Sequence, residues 1–163
     1  MIVVTNAGPL IALAQIGRLN LLQLLYDQLY LPPAVFNEVV TFGRERPGAA
    51  EVETADWIRV INISDISAVE RLRERLDMGE SEAIVLAIEL EANLLLIDEA
   101  RGRRVAQAQG LNHVGTVGLL VLARQRGLIA AVSPLLDELI TSGFRMNEEL
   151  YRTAQRLAGE AEE

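Results

Sequence analysis

The run Leu94-Leu95-Leu96-Ile97, bounded by Asn93 and by Asp98-Glu99, constrains the chain more than any other feature. Four apolar residues between polar borders fit a short strand buried on both faces, as in a parallel sheet covered by helices. Ser81 to Glu91, just before it, is rich in Ala, Ile and Leu and reads as a buried helix. Glu99 to Gln109 reads as a second helix, with Glu99 in its opening turn and Gly110 past its end. A further strand follows around His113-Val114, and a helix opens near Thr116. Helix, strand, helix, strand, helix is the order of an α/β sheet. In such sheets ligands sit beyond the carboxyl ends of the strands, and Asp98 is the residue that leaves the buried strand there.

The rest of the chain repeats the pattern. Strands are expected at about residues 2–5, 29–31, 94–97 and 112–115, with Trp57 to Ile63 as another. Thr5-Asn6-Ala7-Gly8-Pro9 turns the first strand into a helix, since Pro suits a first helical turn. Leu19 to Tyr26, Ala34 to Thr41, Ser67 to Leu76, Thr116 to Arg126, Ser133 to Ser142 and a final segment from Asn147 read as helices. Phe42 to Asp56 is the one polar, breaker-rich stretch, with room for a short helix at Ala49 to Ala55. No repeat or linker interrupts 163 residues, which predicts one domain over 1–163: a three-layer α/β/α unit with a short, mainly parallel sheet.

Absences narrow the chemistry. The chain has no cysteine and a single histidine, His113, so disulfides, thiolate nucleophiles and multi-histidine zinc sites are excluded. All 15 basic residues are arginine, which removes the lysine of a phosphate-binding P-loop and Schiff-base catalysis. A net charge of −8 argues against coating nucleic acid through bulk electrostatics, though not against meeting phosphates through bound cations. No apolar run approaches the ~20 residues of a membrane span, and the start lacks a signal-peptide pattern, so the expectation is a cytoplasmic protein.

Carboxylates remain. Of 23, three stand in apolar surroundings at the end of an element, where burying an unpaired acid is expensive. Asp98 leaves the strand, with an N-cap for the next helix as its ordinary structural use. Glu80 opens a nearly all-apolar helix, where the helix dipole alone could account for it. Glu38 lies between Val35 and Val39 on a helix, where a solvated face is the plain alternative. If the Glu80 helix runs antiparallel to the following strand, Glu80 and Asp98 return to the same sheet edge, and Asn6 ends its own strand there. An oxygen-only set of this kind suits Mg²⁺ or Mn²⁺, and such sites activate water and stabilise phosphodiester transition states. Arg101, Arg103 and Arg104 fit a solvated helix face better than a phosphate site, His113 a structural role, and Gly115 to Gly118 a tight strand-to-helix turn.

These residues resemble the PIN-domain family, the fold of VapC-type toxin ribonucleases. Ile2 to Leu13 is similar to the family's first strand and turn, and Pro33-x-Val35-x-x-Glu38-Val39 to the segment carrying its second acid. Gly79-Glu80-Ser81-Glu82-Ala83 resembles the third acidic segment and Leu95-Leu96-Ile97-Asp98-Glu99 the fourth. The resemblance implies a metal-dependent endoribonuclease, the toxin of a toxin–antitoxin pair. Asn6, Glu38, Glu80 and Asp98 would be its catalytic and metal-site residues, with Glu99 as an outer neighbour. It further implies an RNA substrate, a small antitoxin protein as partner, and a homodimer. One position departs: Asn6 stands where the family usually has aspartate, and Gly8 where Ser or Thr is common. An amide oxygen can ligate Mg²⁺ but adds no charge. The alternative function is therefore a catalytically inactive PIN-like module that binds a protein partner.

Overall fold

A computed structural model describes residues 1–160, so the last three residues of the expected 1–163 domain lie outside the described part. Five strands form one sheet: β1 (Val3–Thr5), β2 (Leu29–Leu31), β3 (Ile58–Val60), β4 (Leu94–Leu96) and β5 (His113–Val114), in the order β3-β2-β1-β4-β5. Every pairing is parallel. β1 is the middle strand and all three of its residues are buried, as its Val-Val-Thr sequence demands of a strand covered on both faces.

The helices are α1 (Ala7–Gln15), α2 (Asn20–Tyr26), α3 (Pro33–Phe36), α4 (Ala49–Thr54), α5 (Ile66–Leu72), α6 (Met78–Glu89), α7 (Ala100–Ala108), α8 (Thr116–Gln125), α9 (Ser133–Thr141) and α10 (Glu148–Leu157). The β1–β2 and β4–β5 connections run outward in opposite directions. Right-handed crossovers therefore place α1 and α2 on one face of the sheet and α7 on the other. α6 packs on β1 and β4 beside α3, α5 and α7, while α1 packs with α8 and α8 with α10. The result is the three-layer α/β/α architecture expected, with the sheet parallel throughout. One continuous apolar core runs from Val3 to Ala158. Among the described residues no helix is long and apolar enough to cross a membrane.

Three expected helices differ in ways that matter below. Ala34 to Thr41 is not one regular helix: α3 gives way after one turn to a π-helical turn over Asn37–Thr41, closed by Phe42 N–H donating to the Asn37 carbonyl at 2.7 Å. Gly43 follows because a Cβ there would lie 2.3 Å from the Val39 carbonyl oxygen. The helix expected from Ser81 starts earlier, at Met78, because Asp77 caps it by accepting from Glu80 N–H at 2.8 Å. The one expected to run to Leu76 stops at Leu72.

Candidate active site

The strand order reverses between β1 and β4, which run outward to β2 and to β5 respectively. A crevice forms at the carboxyl ends of two such strands. The register pairs Thr5 with Leu96, and Asn6 N–H donates to the Leu96 carbonyl at 2.9 Å. Asn6 and Asp98 are thus the first polar residues to leave the two strands that border the crevice.

Asn6 is the N-cap of α1, a position where asparagine ordinarily bonds the first free N–H groups, yet its side chain makes no capping bond. It is buried, and its Oδ1 faces Gly79 instead. A Cβ on Gly79 would lie 3.4 Å from Asn6 Oδ1, 3.4 Å from Glu38 Oε1 and 3.7 Å from Asp77 Oδ1. Three oxygens from three elements therefore look onto one small space, and the missing side chain at Gly79 keeps it open. Glu38 reaches it from the π-helical turn, a local widening that is frequent at functional sites. α3, which leads into that turn, is tied to α6 by Glu82, whose Oε1 accepts from Ala34 N–H at 3.0 Å.

Glu80 sits one residue further along α6, buried, as the third residue of a capping box with Asp77. Burial first, then the neighbouring Asp77 charge, raises its carboxyl above the ordinary range; Glu99 and Glu38 push the same way, and the Asp77 backbone bond pulls back. Glu38 is more exposed, and partial burial of its carboxylate followed by Asp77 raises it too. These acids repel one another, the condition that a cation would relieve.

Asp98 occupies the other side of the crevice. It does not cap the next helix: the N-cap of α7 is Glu99, without a side-chain bond. Asp98 instead closes on α8, where its Oδ1 accepts from Thr116 N–H at 2.7 Å and its Oδ2 from the Thr116 hydroxyl at 2.7 Å. Glycines crowd it: a Cβ on Gly115 would lie 2.8 Å from Oδ1 and one on Gly8 3.2 Å from Oδ2. Burial raises the Asp98 carboxyl, and the two Thr116 bonds and Arg103 offset only part of that.

The four residues singled out in the sequence thus lie at one sheet edge but do not share one space. Asn6 and Glu38 meet Asp77 at Gly79; the Glu80 carboxyl turns towards α7, where a Cβ on Gly102 would lie 3.8 Å from its carboxyl carbon; and Asp98 lies across the crevice with Thr116. Among the described residues no three His, Cys, Asp or Glu side chains stand grouped closely enough to hold a metal ion. Sequence reasoning missed Asp77, Glu82 and Thr116. Asp77 was legible in the spacing Asp77-x-x-Glu80, a capping-box pattern. Nothing local to Glu82 or Thr116 announced partners 48 and 18 residues away. His113 is half-buried in β5 with Nδ1 unpartnered, and burial lowers its pKa. Arg101, Arg103 and Arg104 are exposed on α7, as expected.

A short parallel sheet with acids at its switch point defines an α/β domain with a candidate ligand site at that edge. The chain matches the family described as DUF3368, PIN domain, over residues 2–160, and it belongs to that family. PIN domains generally use divalent metal ions. A search of the curated proteins found no match.

Proposed function

We propose that the chain is a divalent-metal-dependent endoribonuclease whose site is the crevice between β1 and β4. The observation that carries this reading is the shared space at Gly79, onto which Asn6 Oδ1, Glu38 Oε1 and Asp77 Oδ1 all look. The donor set fits a hard cation: every candidate is oxygen, and Glu38, Glu80 and Asp98 all have raised carboxyl pKa values. Asn6, Glu38 and Glu80 would hold Mg²⁺ or Mn²⁺ on the α6 side, and Asp98 would complete the site across the crevice. When bound, the cation supplies an activated water and charge stabilisation at a phosphodiester. The chain's own residues do the rest. Thr116 fixes both oxygens of Asp98, Glu82 anchors the start of α3 just ahead of the turn bearing Glu38, and the Asp77 cap fixes the start of α6 beside Glu80.

The toxin role, with an antitoxin partner and a homodimer, belongs to the same proposal. It is supported by the family and by the motif resemblance. The test is cleavage of single-stranded RNA with Mn²⁺ by this chain and by its Glu38→Gln form, with chelator as control. Chelator-sensitive cleavage that Glu38→Gln abolishes supports the reading, and equal cleavage by both overturns it.

A second reading, an inactive PIN-like binding module, is favoured by one observation. Asn6 brings no charge, and among the described residues no three acids stand close enough together to hold a metal ion. Titration calorimetry separates the two. Heat from Mn²⁺ that disappears in Glu38→Gln belongs to the nuclease, and absence of any such heat belongs to the module.

A further inference from the structure

A cleft of about 510 Å³ opens on the side of Asp98 that faces away from Glu80's helix. Its floor is Gly8, Asp98 and Glu99, one wall is Ile11 on α1, and the other wall is Phe144 and Arg145. That second wall comes from the link between α9 and α10, remote in sequence from every acid discussed above. Its lining is mixed, with an aromatic ring and one guanidinium beside a carboxylate already placed in the site.

The link is set firmly. Gly143 adopts φ 100° just past α9; its N–H donates to Ile140 O at 3.0 Å and Phe144 N–H to Leu139 O at 2.9 Å. This is the paired closure that glycine permits at a helix end. At the other end Asn147 caps α10, accepting from Leu150 N–H at 2.7 Å. Phe144 is half-buried against the core, so its place in the cleft wall is held by packing. Arg145 is exposed, and among the described residues it forms no ion pair.

We propose that this cleft seats one unpaired nucleotide of a single-stranded RNA, its base against Phe144 and its phosphate on Arg145. The proposal rests on the nuclease reading and adds its substrate-binding subsite. Size fits, since a cleft of this volume lies within the range of small-ligand sites. Chemistry fits too: aromatic rings stack unpaired bases with little regard to sequence, and arginine meets phosphate with two parallel donors. A chain of net charge −8 cannot hold RNA by bulk attraction, so it needs a local cation and an apolar platform. Arg145 and Phe144 supply both at the edge of the site. A duplex does not fit this scheme, because its bases are already stacked on each other.

The test is binding of a fluorescein-labelled single-stranded RNA dodecamer, followed by anisotropy in chelator at low salt, with a duplex of the same sequence alongside. Arg145→Ala and Phe144→Leu, the latter keeping apolar volume in the wall, are compared with Arg59→Ala on the far strand β3. Each cleft variant is expected to weaken single-strand binding roughly tenfold. Arg145→Ala should also lower the salt slope by about one phosphate contact. Arg59→Ala should change neither, and all variants should melt near the parent. Unchanged affinity in both cleft variants, tighter binding of duplex than of single strand, or no binding by the parent chain overturns the subsite. Cleavage assays keep the two readings apart. Cleavage with unaltered KM in both variants sinks the subsite and leaves the nuclease; variant-sensitive binding without cleavage does the reverse.

Discussion

Thr116 donates both of its hydrogen bonds to Asp98, the backbone N–H to Oδ1 and the hydroxyl to Oδ2, each at 2.7 Å. The pair joins the end of β4 to the start of α8 and leaves the Asp98 side chain no freedom to swing. Asp98 is thereby presented in one orientation at the sheet edge, which is what a group waiting for a ligand requires.

Thr116→Val removes the hydroxyl and keeps the shape. Thr116 is fully buried, so one carboxylate oxygen loses its partner in a poorly solvated place. The cost should be about 1.5–3 kcal/mol, the range for a bond to a charged group. Urea denaturation of parent, Thr116→Val and Thr116→Ser checks it; Ser should recover most of the loss. If Val matches the parent, the hydroxyl does not hold Asp98.

Gly115→Ala should disturb the same carboxylate from the other side. The backbone there is extended, with φ −98°, so the residue itself is not strained. The new methyl would stand 2.8 Å from Asp98 Oδ1, and moving that oxygen breaks its bond to Thr116 N–H. The expected loss is about 1–3 kcal/mol, as for other overpacked sites. Gly8→Ala, at 3.2 Å, should be milder. Equal melting temperatures for Gly115→Ala and the parent would show that Asp98 yields freely.

Much of this arrangement was legible in the sequence. Leu94 to Ile97 fits a short covered strand, bounded as it is by polar residues and helical stretches, and that position puts Asp98 at an outer end. The same reasoning from Ile2-Val3-Val4 put Asn6 beside it. What escaped was whatever depends on partners distant in the chain. The break in Ala34 to Thr41 has no residue of its own to signal it; the π-helical turn follows from docking on α6 and from Gly43. Asp98 looked like a cap for the helix that follows it, because a helix N-terminus 18 residues on is invisible to local pattern. The cleft wall at Phe144 and Arg145 escaped for the same reason.

The raised carboxyls set a pH signature for the metal-free protein. A carboxyl raised on folding contributes stability that is complete below its unfolded value and is lost as pH climbs through its folded value. For Glu38 the unfolded value is 4.5, and burial with Asp77 raises it in the fold. Glu38→Gln should therefore melt higher than the parent at neutral pH in chelator, and the difference should vanish towards pH 4.5 and below. Because Glu38 is exposed, the effect should be small. A Glu38→Gln protein that melts lower than the parent at neutral pH contradicts the crowding of acids around Gly79.

The C-terminal end should show the opposite sign. Burial raises the Glu160 carboxyl, but bonds from Val132 N–H at 2.7 Å and from Ser133 N–H and Oγ outweigh it, and the pKa is lowered. Its stabilisation is present above the ordinary value of 4.5 and is lost as pH falls through the depressed folded value. Glu160→Gln should melt below the parent at neutral pH and converge with it in acid. Parallel melting curves from neutral to acid pH would show that Glu160 does not tie the chain end to α9.

The central claim is that Asn6, Glu38, Glu80 and Asp98 act on one divalent cation to cut RNA, and one measurement reaches it directly. Mn²⁺-dependent cleavage of single-stranded RNA is compared for the parent, Asn6→Asp, and Asp98→Asn made in each. Asn6→Asp adds a charge beside Glu38, so the account predicts cleavage faster by about tenfold or more, since even outer partners of a metal ligand are worth that much. Asp98→Asn should abolish the Mn²⁺-dependent cleavage in both backgrounds. Cleavage that is equal in all four proteins, or absent from Asn6→Asp with Mn²⁺ in excess, contradicts the account.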